Sequence, residues 1–351
     1  MPSLQPNRKR VRVDEEDPEE ALVNHPTLYF DDGNIIISSG STLFCVHRSL
    51  LSKHSPVFKD LFEPKEDKKQ AFLRGCLHIH VEDDREEMEA LLSIIYDGFR
   101  IDFPHLTVET YPALATLLCM TTKYQLARTR TEIIERIRRE WPDTLTSHDT
   151  KMDERRRLHP HPSPFLVMDG KVELNPLYNP TAAQHEELVH PASVIALLRQ
   201  TDCATPQVFA PIFYELSRCS WTFGGPAVGH NIAPLSHADI ERLIVGIERL
   251  RTLHMFYAAK CPLFTVTPGH EDCLQGLQHC WGDIASVFAR KTGPREPVED
   301  WKELTKLACS YGQLAVSYQI CAHCWKSLPL ETDAIRSALW SQLTTSFQLT
   351  P

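Results

Sequence analysis

Apolar residues change their spacing along this chain, and the change separates a mixed N-terminal part from a helical C-terminal part. Leu77, Ile79 and Val81 alternate with polar residues, which is the period of a strand. After residue 180, apolar residues recur three and four apart, most clearly over 240–250, which is the period of a helix. We therefore predict an α+β N-terminal domain followed by a mostly α-helical C-terminal domain.

Residues 25–142 combine strand and helix patterns. An Asp-Gly pair and a Ser-Gly-Ser stretch separate short runs of β-forming residues, and turn residues placed in this way are typical of hairpins. They predict three short antiparallel strands over 27–30, 35–37 and 43–46. The later pattern predicts helices over 49–62, 88–98, 113–124 and 133–141, with one more strand at 77–81.

Two segments are poor in the apolar residues that a folded core needs. Residues 1–24 carry a basic cluster followed directly by an acidic one, and they predict a disordered charged tail. The basic cluster has the composition of a nuclear import signal, and a solvated tail is the alternative. Residues 143–180 hold three arginines and a His-Pro-His-Pro-Ser-Pro run. Because alternating prolines keep a chain extended, we predict a linker over 143–180, cut first by trypsin at 155–157, before a helical domain over 181–351.

Charge and composition narrow the classes of partner. The 351 residues include 37 Lys and Arg against 46 Asp and Glu, a net charge of −9, whereas nucleic-acid binding depends on clustered positive charge. We expect no nucleic acid as the main ligand. No apolar run approaches the roughly 18 residues of a bilayer span, and the N-terminus has no hydrophobic signal core. We expect a protein of the cytoplasm or nucleus, neither secreted nor membrane-bound, with its 11 cysteines mostly reduced.

Several short motifs in the N-terminal part occur together in one known family. The residues that carry them are Asn34, Phe44, His47, Arg48, Leu51, Ser55 and Phe58. This arrangement resembles the opening of a BTB/POZ domain, in which a polar residue precedes an apolar strand, and a Phe, a His-basic-x-x-Leu motif and a Ser-x-x-Phe motif follow. The resemblance extends over 25–141. The wider layout, with its Pro-rich segment and helical tail, is similar to that of fungal BTB proteins.

The resemblance implies a module for protein–protein interaction, with no catalytic residues and no cofactor. Domains of this family self-associate or recruit partners, and some bridge substrates to a cullin-type ubiquitin ligase. We therefore expect an adaptor with protein partners. A substrate adaptor of a cullin-type ligase and a transcription-associated nuclear adaptor are the alternatives.

Three departures from the family pattern bear on these alternatives. Asn34 stands where dimerising members carry a buried Asp, so Arg48 is expected to be exposed or differently paired. Residues 19–23 are too short for a helix that could be exchanged between subunits. Residues 63–69 are rich in Pro and charge, where cullin-binding members have an apolar-x-Glu motif. We therefore predict a weak homodimer of micromolar strength, and the cullin alternative is weakened.

Two kinds of residue invite a chemical interpretation. His47 has no nucleophile and no second base spaced around it, so we interpret it as a structural residue at a strand-to-helix corner. Cysteine and histidine crowd the C-terminal part: Cys261, His270, Cys273, His279, Cys280, Cys309, Cys321, His323 and Cys324. Since zinc binds four N or S ligands in a tetrahedron, this region is the best candidate for a metal-dependent or thiol-dependent domain.

Spacing limits the ways in which those residues could share a metal ion. Cys321 and Cys324 lie one helical turn apart, whereas Cys273 and Cys280 would be about 10 Å apart on a helix. A second pair of ligands must therefore come from separate segments. The zinc candidates are Cys321, Cys324, Cys280 and Cys309. Because Cys321 falls on an apolar helical stripe, we interpret them as reduced core thiols and expect no metal and no thioredoxin-like redox role.

Overall fold

The computed structural model describes residues 22–64, 70–98, 105–178, 188–203, 205–219, 232–291, 296–309 and 312–349. The chain divides into two compact units. Unit 1 comprises Met1–Ile101 and Cys119–Arg130, and unit 2 comprises Asp102–Leu118 and Thr131–Pro351. The predicted charged tail lies outside the described residues except for 22–24. Two of those three residues, Val23 and Asn24, already belong to the first strand.

Unit 1 is built on a five-stranded mixed sheet in the order β1-β3-β2-β5-β4. The strands are β1 Val23–Tyr29, β2 Ile35–Ser39, β3 Thr42–Val46, β4 Ala71–Leu73 and β5 Cys76–Val81. Strands β2 and β3 form an antiparallel hairpin around Gly40, whose φ of +53° suits a residue without a Cβ. Strand β2 also pairs in parallel with β5, and β5 pairs antiparallel with β4.

The predicted hairpin between the first two strands is wrong. Strand β1 runs parallel to β3, so β1 and β2 lie on opposite sides of β3. The Asp-Gly turn carries the chain across the end of β3: the Asn34 N–H donates to the Val46 carbonyl at 3.0 Å. A Cβ on Gly33 would lie 2.6 Å from the sulfur of Cys45 and 2.9 Å from its carbonyl oxygen. Glycine at position 33 therefore lets the chain cross close to β3. In the sequence, an Asp-Gly pair looks the same whether the chain makes this crossing or a tight hairpin.

Helices cover the sheet and share the core of unit 1 with it. They are α1 Arg48–His54, α2 Pro56–Leu61 and α3 Arg85–Asp97, with the end of α4 Tyr111–Lys123 and the start of α5 Ala127–Glu140. The sequence-based predictions of these helices are confirmed. Helix α3 begins with a capping box between Asp84 and Glu87, and it ends at Gly98, whose φ is +81°. Its apolar face packs on the sheet through Met88, Leu91, Leu92 and Ile95.

Unit 2 is mostly helical. Its further helices are α6 Leu145–Leu158, α7 Pro191–Gln200, α8 Pro206–Arg218, α9 His237–Ala259, α10 Glu271–Arg290, α11 Pro297–Cys309, α12 Gln313–Ser317, α13 Ala322–Trp325, α14 Ser327–Ser341 and α15 Leu343–Ser346. Trp281 of α10 stacks on Trp301 of α11 at 5.4 Å, and both side chains are almost fully buried. Among the residues that the structure describes, no helix has the length and apolar character that a membrane crossing requires.

Residues 143–180 are not an extended linker over most of their length. Helix α6 occupies Leu145–Leu158, and Phe165–Met168 (β6) pairs antiparallel with Lys171–Leu174 (β7). The Thr144 side chain accepts a hydrogen bond from the Ser147 N–H and caps α6, and the proline run begins only after the helix ends. Arg155, which was expected in an accessible linker, pairs with Glu140 at 2.8 Å and with Glu215 at 3.0 Å.

Candidate functional sites

Most of the BTB-type motif residues in unit 1 build its interior. Phe44, Leu51 and Phe58 are completely buried. The Phe58 ring stacks on Tyr124 at 4.5 Å, which joins helix α2 to the end of α4. Such aromatic pairs add stability beyond the apolar area that they bury. These residues therefore hold the fold together, and they do not themselves offer a surface to a partner.

Ser55 links two helices through a single buried hydroxyl. Its Oγ accepts a hydrogen bond from the Phe58 N–H at 3.0 Å, which caps the start of α2. The same hydroxyl donates to the Tyr124 carbonyl at 2.6 Å, just beyond the last turn of α4. Both bonds are buried. Ser55 thus bonds to two backbone groups at the ends of two helices.

Asn34 and Arg48 form a polar contact that needs no buried carboxylate. The Asn34 Oδ1 accepts the backbone N–H of Arg48 at 2.8 Å, at the first residue of α1. The Arg48 side chain is exposed, and its Nη2 donates to the Phe62 carbonyl at 2.9 Å. The guanidinium therefore stays in contact with water. The Asn34 side chain accepts a hydrogen bond from the helix backbone, where a buried Asp would form an ion pair.

His47 stands at the corner between β3 and α1, with a polar partner on each side of its ring. Its Nδ1 lies 2.8 Å from the Tyr96 hydroxyl, and its Nε2 lies 3.3 Å from Asp32, a highly exposed residue. The Tyr96 hydroxyl also accepts the His47 backbone N–H at 2.9 Å. Burial raises the pKa of Tyr96, although the His47 N–H partly opposes this rise. These contacts orient the corner, and they include no hydroxyl or thiol nucleophile with a low pKa.

The two edges of the sheet in unit 1 carry exposed apolar side chains. Within the described residues, β1 and β4 each pair along one side only. Val23 on β1 is 60% exposed, and Phe72 on β4 is 66% exposed. Pro26 lies within β1 and offers no N–H, as is usual for an edge strand. Strand β4 contains no proline, so it combines open backbone groups with a large exposed aromatic ring, the features that favour addition of a strand from a partner.

A second constellation, in unit 2, brings together four potential metal ligands. His270 immediately precedes helix α10, and Cys273 lies in its first turn. Cys321 caps the short helix α13, and Cys324 lies within that helix. One ligand atom from each of the four residues lies within 4.8 Å of every other. We call this group the Cys-His cluster.

Backbone N–H groups point at two sulfurs of the Cys-His cluster. The Cys321 N–H donates to the Cys273 sulfur at 3.4 Å, and the Cys324 N–H donates to the Cys321 sulfur at 3.5 Å. The Cys324 N–H is the main reason why the pKa of Cys321 falls to about 6, since it stabilises the thiolate. For Cys273 the Cys321 N–H acts in the same direction, but burial and the neighbouring thiols prevail and raise its pKa.

Only two of the four predicted zinc candidates belong to the Cys-His cluster. Cys321 and Cys324 lie in it, whereas Cys280 is buried within α10 and Cys309 is exposed at the end of α11. His270 and Cys273 belong to the nine Cys and His residues that crowd the C-terminal part, but they are not among the four predicted zinc candidates. The signal that could have identified them is their spacing, because a His-x-x-Cys pair and a Cys-x-x-Cys pair both place two ligands one turn apart.

The helix that was predicted to contain Cys321 is broken. Helix α12 ends at Ser317, and Gln319 adopts a left-handed conformation with φ of +56°. The apolar stripe from Leu314 to Trp325 is therefore shared by two short helices, with Cys321 between them as the cap of α13. The prediction that Cys321 lies inside a helix, which disfavoured a role for it in chemistry, is wrong.

Comparison with known proteins places the N-terminal part in a family. Residues 30–131 match the model of the BTB/POZ domain, from the residue after β1 into α5. No curated protein and no solved structure gives a significant match to the chain. The resemblance to a BTB/POZ domain and the fold class predicted from sequence are confirmed. BTB/POZ domains mediate protein–protein interactions, and the mixed sheet, the covering helices and the family match identify residues 30–131 of this chain as a BTB/POZ domain.

Proposed function

We propose that this protein is an adaptor that binds other proteins through its BTB/POZ domain. The family match over 30–131 is the observation that carries the proposal. It is supported by the placement of the motif residues. Most of them are buried in the core, so a partner must be recognised by other surfaces. The open edge of β4 with Phe72 is the surface that we assign to recognition.

Weak self-association is part of the same proposal. An edge strand without proline can pair with the same strand of a second copy, and the exposed Phe72 ring would be covered in that pair. Strand β4 has only three residues, so few backbone hydrogen bonds would form. We therefore retain the prediction of a micromolar homodimer, since small interfaces are weak or transient.

Substitution at Phe72 tests the proposal in the full-length chain. We expect Phe72→Asp to reduce self-association in sedimentation velocity over a concentration series, and to reduce the amount of protein captured from a cell extract. The matched control is Leu263→Asp, which alters a side chain in unit 2 that is 97% exposed. If Phe72→Asp and Leu263→Asp both behave like the unmodified chain in both assays, the β4 edge is not the recognition surface.

The alternatives from the sequence stay predictions. Residues 63–69, which stand where cullin-binding members of the family have their motif, lie mostly outside the described residues, since the structure describes only 63 and 64 of them. A purified cullin N-terminal domain, titrated against the full-length protein, separates a ligase adaptor from other adaptors. The location in cytoplasm or nucleus, including a nuclear role for the basic cluster, is tested by imaging the chain with and without that cluster.

A further inference from the structure

We propose that the Cys-His cluster of unit 2 binds one structural Zn²⁺ ion through His270, Cys273, Cys321 and Cys324. The cluster belongs to a different part of the chain from the BTB/POZ domain, so the proposal does not depend on the adaptor function. It rests on the positions of four donor atoms that come from two segments far apart in sequence.

Distances within the cluster match those around a tetrahedral zinc ion. Zinc binds sulfur at about 2.3 Å and imidazole nitrogen at about 2.1 Å, so in a tetrahedron a sulfur and a nitrogen lie about 3.6 Å apart. In the structure, the His270 Nδ1 lies 3.8 Å from the sulfur of Cys273, 3.4 Å from that of Cys321 and 3.6 Å from that of Cys324. One imidazole nitrogen thus faces all three sulfurs at the separation that a shared ion requires.

The chemistry of the donor set fits zinc and disfavours the cations that prefer oxygen. Three thiolates and one imidazole are the soft and borderline ligands that Zn²⁺ prefers, whereas Mg²⁺ and Ca²⁺ prefer oxygen. The N–H groups of Cys321 and Cys324 donate to the sulfurs of Cys273 and Cys321 at 3.4 and 3.5 Å, so the backbone helps to hold these two sulfurs beside the imidazole. With four protein ligands the coordination sphere is closed, which is the arrangement of a structural site and not of a catalytic one.

Burial of the cluster suits a site that an ion can reach. Cys273 and Cys324 are buried, whereas His270 and Cys321 are partly exposed, so one side of the cluster faces solvent. The ion would fasten the start of α10 to the turn between α12 and α13. These two segments already approach closely, because a Cβ on Gly276 of α10 would lie 2.3 Å from the Tyr318 carbonyl oxygen.

Two other interpretations of the cluster explain less of it. A disulfide between two cysteines would use two sulfurs and leave the third, together with the facing imidazole nitrogen, without a role. Packing of reduced thiols in an apolar core accounts for buried sulfurs, as at Cys280, but not for a histidine nitrogen that faces three of them. The metal site accounts for all four residues.

Metal analysis of the full-length protein, purified under reducing conditions, tests the inference. We expect one zinc ion per chain by mass spectrometry of the metal, and loss of that ion in Cys273→Ser and in Cys321→Ser. The matched control is Cys309→Ser, an exposed cysteine outside the cluster that should leave the zinc content unchanged. Replacement of zinc by Co²⁺ should give the visible absorption bands of a tetrahedral site with thiolate ligands.

A second measurement on the unmodified chain guards against variants that fail to fold. Alkylation followed by peptide mass spectrometry should show Cys273, Cys321 and Cys324 protected until a zinc chelator is added, with exposed Cys309 reacting from the start. Absence of zinc and of Co²⁺ bands in the unmodified chain would overturn the proposal. It would also be overturned by a disulfide within the cluster in the purified protein, or by full zinc content in both serine variants.

Discussion

At the scale of single residues, the BTB-type motif specifies how unit 1 is built. Ser55 caps α2 and satisfies the Tyr124 carbonyl, and Asn34 serves the first N–H of α1. Phe44 and Phe58 fill the core. The motif can be recognised from sequence because each of these tasks demands one kind of side chain at one position. Phe72 performs no such task inside the fold, because its ring is exposed on β4, and the sequence alone therefore does not single it out.

Removal of the Ser55 hydroxyl should weaken unit 1 locally. We expect Ser55→Ala to lower the free energy of unfolding by about 1–3 kcal/mol, because α2 loses its cap and a buried carbonyl loses its donor. Hydrogen exchange read by mass spectrometry over α2 measures the loss of protection. The control is Ser49→Ala, which changes an exposed residue of α1. Equal protection of α2 in the two variants would contradict the assigned role.

At the scale of elements, helices with an apolar stripe were predictable and helices held by charge were not. Periodicity over 240–250 identified α9, which buries Leu243 and Leu250 of that pattern. Helix α6 has no such stripe: Arg155 pairs with Glu140 and Glu215, and Arg156 pairs with Glu303 at 2.6 Å. Those partners come from other elements, so the pattern within α6 contains no trace of them.

Pairings between distant segments could not be predicted from the sequence for the same reason. The parallel partner of β1 is β3, and the chain reaches β2 by crossing close to β3 at Gly33. The Cys-His cluster joins residues 270–273 to residues 321–324, and the turn at Gln319 that brings them together depends on tertiary packing. Local spacing indicates which residues could bind a metal, whereas the fold decides which of them meet.

Two glycines of helix α10 should respond to alanine in opposite directions. A Cβ on Gly276 would collide with the Tyr318 carbonyl at 2.3 Å, so we expect Gly276→Ala to destabilise unit 2 by about 1–3 kcal/mol. A Cβ on Gly282 would meet nothing within 4 Å, and Gly282→Ala should stabilise by about 1 kcal/mol through helix propensity. Urea unfolding followed by tryptophan fluorescence reports on unit 2, because all six tryptophans belong to it. Equal shifts for both variants would show that the approach of α10 to Tyr318 is not close.

At the scale of the whole molecule, unit 2 contains a network of charged side chains buried between its helices. Glu299 of α11 accepts hydrogen bonds from Tyr214 of α8 and from His148 of α6, the latter at 2.8 Å. Arg218 of α8 donates to Glu296 at 2.8 Å. Removal of one member of such a network leaves another charge buried without its partner, which is costly. Unit 2 therefore depends on the ionisation state of its carboxylates as much as on its apolar core.

Three carboxyl groups of this network have a lowered pKa, and one has a raised pKa. Burial opposes the charged form of Glu299, but Arg218, His148 and Tyr214 outweigh it and hold its pKa well below the ordinary 4.5. The pKa values of Glu215 and Glu303 are lowered too, against the same effect of burial, by Arg218 and Arg156 respectively. Asp300 differs, because burial raises its pKa to about 6 despite the ion pair with Lys291.

These shifts predict that unit 2 loses stability in acid. A carboxyl with a lowered pKa stabilises the folded state fully above its ordinary value, here 4.5, and loses that contribution as the pH falls further. As the pH falls from about 6 to 3.8, protonation of Asp300 stabilises the folded state, which is the opposite effect. We therefore expect the stability of unit 2 to change little in that range and to fall steeply below it. The midpoint of thermal unfolding by tryptophan fluorescence, from about pH 7 to about pH 3, measures this.

Glu299→Gln should separate the network from general acid effects. The variant cannot lose a charge at this position, so we expect a lower unfolding midpoint at neutral pH and a flatter decline in acid. Glu248→Gln is the control, because Glu248 is exposed and pairs only with Arg251 at 3.5 Å among the ion pairs described. A decline in acid that is equally steep in Glu299→Gln and in the unmodified chain would show that other groups govern the acid stability of unit 2.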